Sequence, residues 1–176
     1  MLIRDADSAR DAAACAAIYA PYVRDTAISF EDIPPTPAEM AARIERLTNT
    51  HAWLVAENEH EILGYAYACP HRERAAYRWT TEVSAYVDAR RRRHGAGRQL
   101  YDSLLNILTE QGYQVALAVI GLPNDPSVAF HESFGFEPAG VFHRLGFKFG
   151  EWWDVGWWQL DLAGGAGRLT PSNPRR

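Results

Sequence analysis

Val83-Ser84-Ala85-Tyr86-Val87-Asp88, followed within a few residues by Arg92-Arg93-His94-Gly95-Ala96-Gly97-Arg98, carries the chain from one kind of structure into another. Val83 to Val87 reads as a strand that Asp88 ends. From Gly95 the period changes. Leu100, Leu104, Leu105 and Leu108 fall on one face of a helix, and Gly112 stops it. The turn between the two combines glycine with arginine. Glycine lets backbone approach a ligand closely, and the first turn of a helix presents N–H groups that have no partner within the helix. Arginine adds positive charge, so a pyrophosphate fits the turn physically. The turn is not a P-loop, because no Gly-Lys-Ser/Thr follows, and it lacks the third glycine of a dinucleotide fingerprint. A solvated basic turn ahead of a helix is the other reading of the same residues.

On the N-terminal side, Ala9 to Tyr19 reads as a helix capped by Asp7 or Ser8 and closed by Pro21. Thr26 to Pro35 reads as a loop. Thr36-Pro37-Ala38-Glu39 starts a second helix with a capping box, and Met40, Ile44 and Leu47 recur at helical spacing. Trp53 to Ala56 and Ile62 to Ala68 flank a polar turn and predict a β-hairpin.

On the C-terminal side, Val115 to Ile120 is the wholly apolar run of a strand buried inside a sheet. Asn124 to Phe134 reads as a helix that begins at Asn124 or Asp125 and ends at Gly135. Val141 to Phe149 and Trp152 to Leu162 predict a terminal antiparallel pair. This order of elements is that of a mixed α/β chain built on one sheet. Residues 1–163 are expected to form a single domain, and the Gly-, Pro- and Arg-rich residues 164–176 a frayed tail.

Composition agrees. With 176 residues, 47% apolar and 23% charged, the chain can bury a core of its own. A net charge of −4 argues against a dedicated nucleic-acid binder. Cys15 and Cys69 are too few for a disulfide scaffold or a metal cluster and read as small core residues. No apolar run reaches the roughly eighteen residues of a membrane span, and Met1 to Arg10 carries charges where a signal peptide is apolar. Cytoplasmic residence is the expectation.

Arg92-x-x-Gly95-x-Gly97 resembles the acetyl-CoA signature of the GNAT N-acetyltransferases. Asn124-x-x-Ser127-x-x-x-His131-x-x-x-Gly135-Phe136 resembles the same family's fourth helix. Three longer runs narrow the likeness to the phosphinothricin N-acetyltransferase group, which is also similar to methionine sulfoximine/sulfone acetyltransferases. They are Tyr77-x-Trp79-Thr80-x-Glu82-x-Ser84-x-Tyr86-Val87, then Gly121 to Ser127, then Gly146-Phe147-Lys148 through Trp152-x-Asp154-Val155. The resemblance extends from Ile3 to about Leu162.

The resemblance implies a GNAT fold: a central mixed, mostly antiparallel sheet of about seven strands with flanking helices. It also implies a splay between two middle strands, placed here at Leu63–Ala68 and Val83–Val87. The implied co-substrate is acetyl-CoA, with no metal. Its implied contacts are Tyr86, Val87, Arg92, Arg93, Gly95, Ala96, Gly97, Arg98, Asn124 and Ser127. The pantetheine pairs with backbone near Tyr86 and Val87, and the Val87 amide faces the oxyanion. Glu82 is the implied general base, acting directly or through water, and His131 an acid or second base.

For the substrate side the resemblance points to Phe30, Arg74, Tyr77 and Lys148. Arg74 would hold the carboxylate of an amino acid. Trp153 stands where a close relative has histidine. The family's habit of pairing implies a homodimer, with no nucleic-acid or membrane partner. The implied reaction is acetyl transfer to the α-amino group of a small glutamate-like amino acid. The rivals are a protein or polyamine acetyltransferase on the same fold and a non-catalytic acyl-CoA-binding regulator.

Overall fold

Apolar residues at both even and odd positions of Trp53-Leu54-Val55-Ala56 decide the layering. In the computed structural model, which describes residues 1–59, 61–91 and 95–162, Trp53 and Val55 face one helical layer while Leu54 and Ala56 face another. The strands are β1 (Leu2–Asp5), β2 (Trp53–Asn58), β3 (Glu61–Pro70), β4 (Thr80–Val87), β5 (Val115–Leu122), β6 (Glu137–Lys148) and β7 (Glu151–Asp161). They form one seven-stranded sheet in the order β1-β2-β3-β4-β5-β7-β6. All neighbours run antiparallel except β4 and β5. The segment 164–176, expected as a tail, lies outside the described residues.

Helices α1 (Ser8–Asp25) and α2 (Pro37–Thr48) cover one face, packing Cys15, Val23, Met40 and Ile44 on Trp53, Val55 and Tyr65. Helices α3 (Ala96–Gln111) and α4 (Asp125–Glu132) cover the other. Leu100, Tyr101, Leu104 and Leu108 of α3 are fully buried there. Truncating one such leucine to alanine costs about 2–5 kcal/mol. Among the described residues no helix is long and apolar enough to cross a membrane.

The helix ends follow local chemistry. Thr36 Oγ1 accepts from the Glu39 amide at 3.2 Å, and Glu39 Oε2 accepts from the Thr36 amide at 2.7 Å, closing the expected capping box. Gly112 ends α3 in the left-handed conformation at φ +96°, which glycine adopts without steric cost.

The structure corrects the sequence reading in three places. First, α1 does not close at Pro21 but runs on to Asp25. The last turn is held by packing of Val23 and by the Tyr22 hydroxyl, which donates to the Val87 carbonyl at 2.6 Å.

Second, β1 has no counterpart in the sequence reading. Its four residues include Arg4 and Asp5, so no apolar alternation marks it. Arg4 earns its place by charge: it donates to both oxygens of Asp11, at 2.7 and 2.8 Å, and to Glu57 at 2.7 Å. Burial alone would push the Asp11 carboxyl up. The Arg4 guanidinium and the Asp7 amide outweigh burial and hold it below the usual carboxylate range.

Third, the splay does not separate Leu63–Ala68 from Val83–Val87. Those strands pair without a break from Gly64↔Val87 to Pro70↔Thr81. The gap opens on the other edge of β4.

Candidate active site

The parallel pairing of β4 with β5 covers Thr80↔Val115, Thr81↔Ala116 and Glu82↔Leu117, and ends there. Beyond it β5 continues to Leu122 against β7 alone. The two strands are joined by a crossover through α3, so no hairpin turn holds their far ends together. The Asp88 amide donates to the Leu63 carbonyl at 2.9 Å. Strand alternation therefore turns the next amide back, that of Val87, toward the open edge. Gly64 lets β3 press close behind it: a Cβ there would lie 2.8 Å from the Tyr86 carbonyl oxygen. The Tyr86 ring points to the α1 face, packed edge-on against Tyr19 and Tyr22.

The start of α3 stands at the mouth of this gap. Gly95 precedes the helix at φ +79°, and the amides of Ala96, Gly97 and Arg98 have no acceptor within the helix. A Cβ on Gly97 would lie 3.5 Å from Val87 and 3.6 Å from the Phe130 ring, so a larger side chain would fill the space between α3, β4 and α4. Arg98 reaches over to α4, donating to Ser133 Oγ at 3.0 Å and lying over the Phe134 ring. Arg92 and Arg93 lie outside the described residues. These features fit the pyrophosphate and pantetheine of acetyl-CoA, because unpaired helix amides suit an anion and an open strand edge suits an amide-bearing arm.

At the start of α4, Asn124 caps the helix and its Oδ1 accepts from the Ser127 amide at 3.3 Å. His131, 8% exposed, lies within the α3 face. Its Nδ1–H donates to the Ser127 carbonyl at 2.7 Å, and its Nε2 accepts from the Tyr101 hydroxyl at 2.8 Å. Burial pushes its pKa below the ordinary value, and both nitrogens are in use inside the fold. Val83 packs into the α3-side core, so strand alternation turns Glu82 to the opposite face of β4, where its bonding partner is His71.

Glu82 has a partner that the sequence reading missed. His71 Nδ1–H donates to Glu82 Oε1 at 2.8 Å, with the two side chains 14% and 28% exposed respectively. The register explains the pairing. Cys69 lies opposite Glu82, and His71 comes two residues later on the same face. His71 lines a cleft of about 1040 Å³ on the α1–α2 face, together with Arg74 and Tyr77 from the β3–β4 connection.

Arg46 and Arg72 also line the cleft, and they too escaped the sequence reading. Arg43, a further lining residue, is bound to Glu31 at 2.7 and 2.8 Å. Arg46, Arg72 and Arg74 form no ion pair among the described residues, and Glu73 is the acidic residue on the same wall, so the cleft carries a net positive charge. Cys69 lines the cleft as well, but burial and the nearby Glu82 push its thiol up to about 11, which leaves it unreactive near neutral pH.

Phe30 and Lys148 lie elsewhere. The Phe30 ring rests on Gly121 and Gly146, where a Cβ on Gly146 would collide with it. Lys148 is 5% exposed, and its ammonium donates to the carbonyls of Val23 and Ser29 at 2.6 Å each. Val23 lies in the last turn of α1, where carbonyls lack intrahelical partners. The structure thus gives Lys148 a task inside the fold, tying the end of α1 and the Phe30 loop to β6. No group of His, Cys, Asp and Glu suited to a metal occurs among the described residues.

The chain matches the family described as "Acetyltransferase (GNAT) domain" over residues 5–157. It is 45% identical over 160 residues to a phosphinothricin N-acetyltransferase of Streptomyces viridochromogenes, covering 91% of this chain and 87% of that protein. It is 35% identical to an L-methionine sulfoximine/L-methionine sulfone acetyltransferase of Pseudomonas paraeruginosa, covering 91% of this chain and 94% of the other. A solved GNAT-superfamily phosphinothricin acetyltransferase from Sinorhizobium meliloti, in complex with acetyl-CoA, superposes with a TM-score of 0.91 at 36% identity, covering 97% of this chain and 92% of that one. With its splayed sheet, its glycine-led helix at the open edge and a family match across most of its length, the chain belongs to the GNAT acetyltransferase family.

Proposed function

We propose that this chain transfers acetyl from acetyl-CoA to the α-amino group of a small glutamate-like amino acid, such as phosphinothricin or methionine sulfoximine/sulfone, with Glu82 as general base. The observation that carries this reading is the cleft itself, where the guanidinium groups of Arg72 and Arg74 share a wall with His71, the residue bonded to Glu82. An α-amino acid brings a carboxylate next to the nitrogen that must react, and a guanidinium binds a carboxylate through two parallel hydrogen bonds. The names of the relatives at 45% and 35% identity support the same substrate class.

Each part of the site then has a task. The α3 amides hold the pyrophosphate, the open edge of β4 holds the pantetheine, and Asn124 and Ser127 flank that arm. Acetyl-CoA, when bound, supplies the activated thioester. Arg74 holds the substrate carboxylate, with Tyr77 beside it. Glu82 accepts a proton from the substrate ammonium, directly or through a water, and frees the lone pair for attack. The Val87 amide, turned to the open edge, donates to the oxyanion. His131 links α3 to α4 behind the cofactor arm, since both its nitrogens are bound inside the fold.

A homodimer belongs to the same reading. The β6–β7 hairpin leaves Phe142, Leu145, Phe147, Phe149 and Trp152 exposed, an apolar surface suited to a second copy.

A thiol-release assay tests the proposal, with acetyl-CoA and a panel of phosphinothricin, methionine sulfoximine, a peptide and spermidine. Turnover of the first two alone supports it. Turnover of the peptide or spermidine in their place overturns it.

A further inference from the structure

His71 is not required by the sheet, since it follows the last paired residue of β3, Pro70. Its ring is nevertheless fixed on two sides. Tyr77 meets it edge-on at 5.5 Å from the β3–β4 connection, and Trp157 at 5.7 Å from β7. A ring clamped by two aromatic residues has lost its rotamer freedom, so the hydrogen bond it offers is aimed in advance. That bond goes to Oε1 of Glu82 and leaves Oε2 without a protein partner among the described residues. An ionised carboxylate only accepts, so the contact fixes the proton on Nδ1 of His71.

We infer that His71 is the positioning residue for Glu82: its Nδ1–H holds one carboxylate oxygen so that the other faces the substrate amine. The inference rests on the proposed role of Glu82 as the base. A free glutamate side chain spreads over several rotamers, and only one of them carries the oxygen to the amine. Holding Oε1 selects that rotamer before substrate arrives. His71 itself touches neither the amine nor the thioester. Its effect therefore falls on the proton-transfer step and not on the affinity for acetyl-CoA, which binds across the sheet at the α3 start.

The test compares His71→Phe, which keeps the ring contacts with Tyr77 and Trp157 but cannot donate, with His71→Asn, whose amide nitrogen takes the place of Nδ1. Thiol release is measured with the best amino acid of the panel, alongside Glu82→Gln and the double variant of His71→Phe with Glu82→Gln. His71→Phe is expected to lower kcat by roughly ten- to a hundred-fold, a part of the full general-base contribution. The KM for acetyl-CoA and the melting temperature stay at the wild-type values. His71→Asn recovers most of kcat, and the double variant is no slower than Glu82→Gln alone, because two residues acting through one step are not additive.

Normal kcat in His71→Phe, or a double variant slower by the product of both single losses, overturns the inference while the Glu82 reading stands. Normal kcat in Glu82→Gln overturns the base assignment, and the inference with it. If His71→Phe does not fold, His71→Leu replaces it in the same comparison with His71→Asn. A chain that turns over no member of the panel removes both readings.

Discussion

Replacing Lys148 by methionine separates two tasks that its sequence position alone confuses. Methionine keeps most of the apolar stem and removes the ammonium, so packing is largely preserved. The carbonyls of Val23 and Ser29, each held at 2.6 Å, then lose their donor. A buried acceptor left unsatisfied costs about 1–3 kcal/mol. Relief from burying a charge offsets part of this, so the net loss for two acceptors is about 2–4 kcal/mol. At roughly 2–4 °C per kcal/mol for a chain of this size, the melting temperature should fall by about 5–15 °C. The segment released is the end of α1 and the loop bearing Phe30, so kcat/KM for the amino acid should also fall, by an amount that shrinks on cooling. Thermal unfolding followed by circular dichroism, together with thiol release at two temperatures, measures both effects. An unchanged melting temperature with a raised KM for the amino acid alone would refute the reasoning and return Lys148 to the substrate pocket.

Arg74→Ala should raise the KM for the amino acid roughly ten- to a hundred-fold, the usual cost of about 1.5–3 kcal/mol for a charged hydrogen bond, and leave the acetyl-CoA KM unchanged. The α-amide of the substrate should lose as much in the wild type and little more in the variant, as steady-state kinetics will show. Gly97→Val should weaken acetyl-CoA binding in calorimetry, because its branches enter the space between Val87 and Phe130. Unchanged affinity in a folded variant contradicts that placement. His131 supplies a pH dependence of stability. Burial lowers its folded-state pKa below the ordinary 6.5, so the unfolded chain takes up a proton that the folded chain refuses. The stability present above pH 6.5 is therefore lost as the pH falls from that value toward the lower folded-state pKa. Denaturant midpoints at pH 7.5 and 5.5 should show a smaller drop for His131→Gln than for the wild type, and equal drops would contradict the assignment.

Much of this architecture is legible in local patterns. Trp53 to Ala56 announces one strand of a hairpin, which the structure then buries on both faces, and Thr36 with Glu39 announces a helix start that forms as expected. The glycine-led start of α3 is equally plain, because the left-handed backbone at Gly95 has few other solutions. What escaped depends on contacts between distant residues. β1 is held through Arg4 to Asp11 and Glu57, an arrangement that looks polar and loop-like in sequence. The location of the splay depends on where a parallel pairing stops, which no single strand reveals. His71 becomes a partner of Glu82 only once the register of β3 on β4 is known, and Lys148 reads as a pocket charge until its burial is seen. Buried histidines and surface histidines have the same letter, which is why His131 reads as a proton donor and is found with both nitrogens bound.

The central claim is that the Glu82 carboxylate takes the proton from an amino-acid amine. The most direct measurement is kcat for Glu82→Gln at neutral pH, saturating in acetyl-CoA and amino acid, with cofactor affinity measured on the same sample. The account predicts a fall of about 10²–10⁴ in kcat, the range for loss of a general base, with acetyl-CoA affinity unchanged. Turnover within a few-fold of the wild type would contradict it.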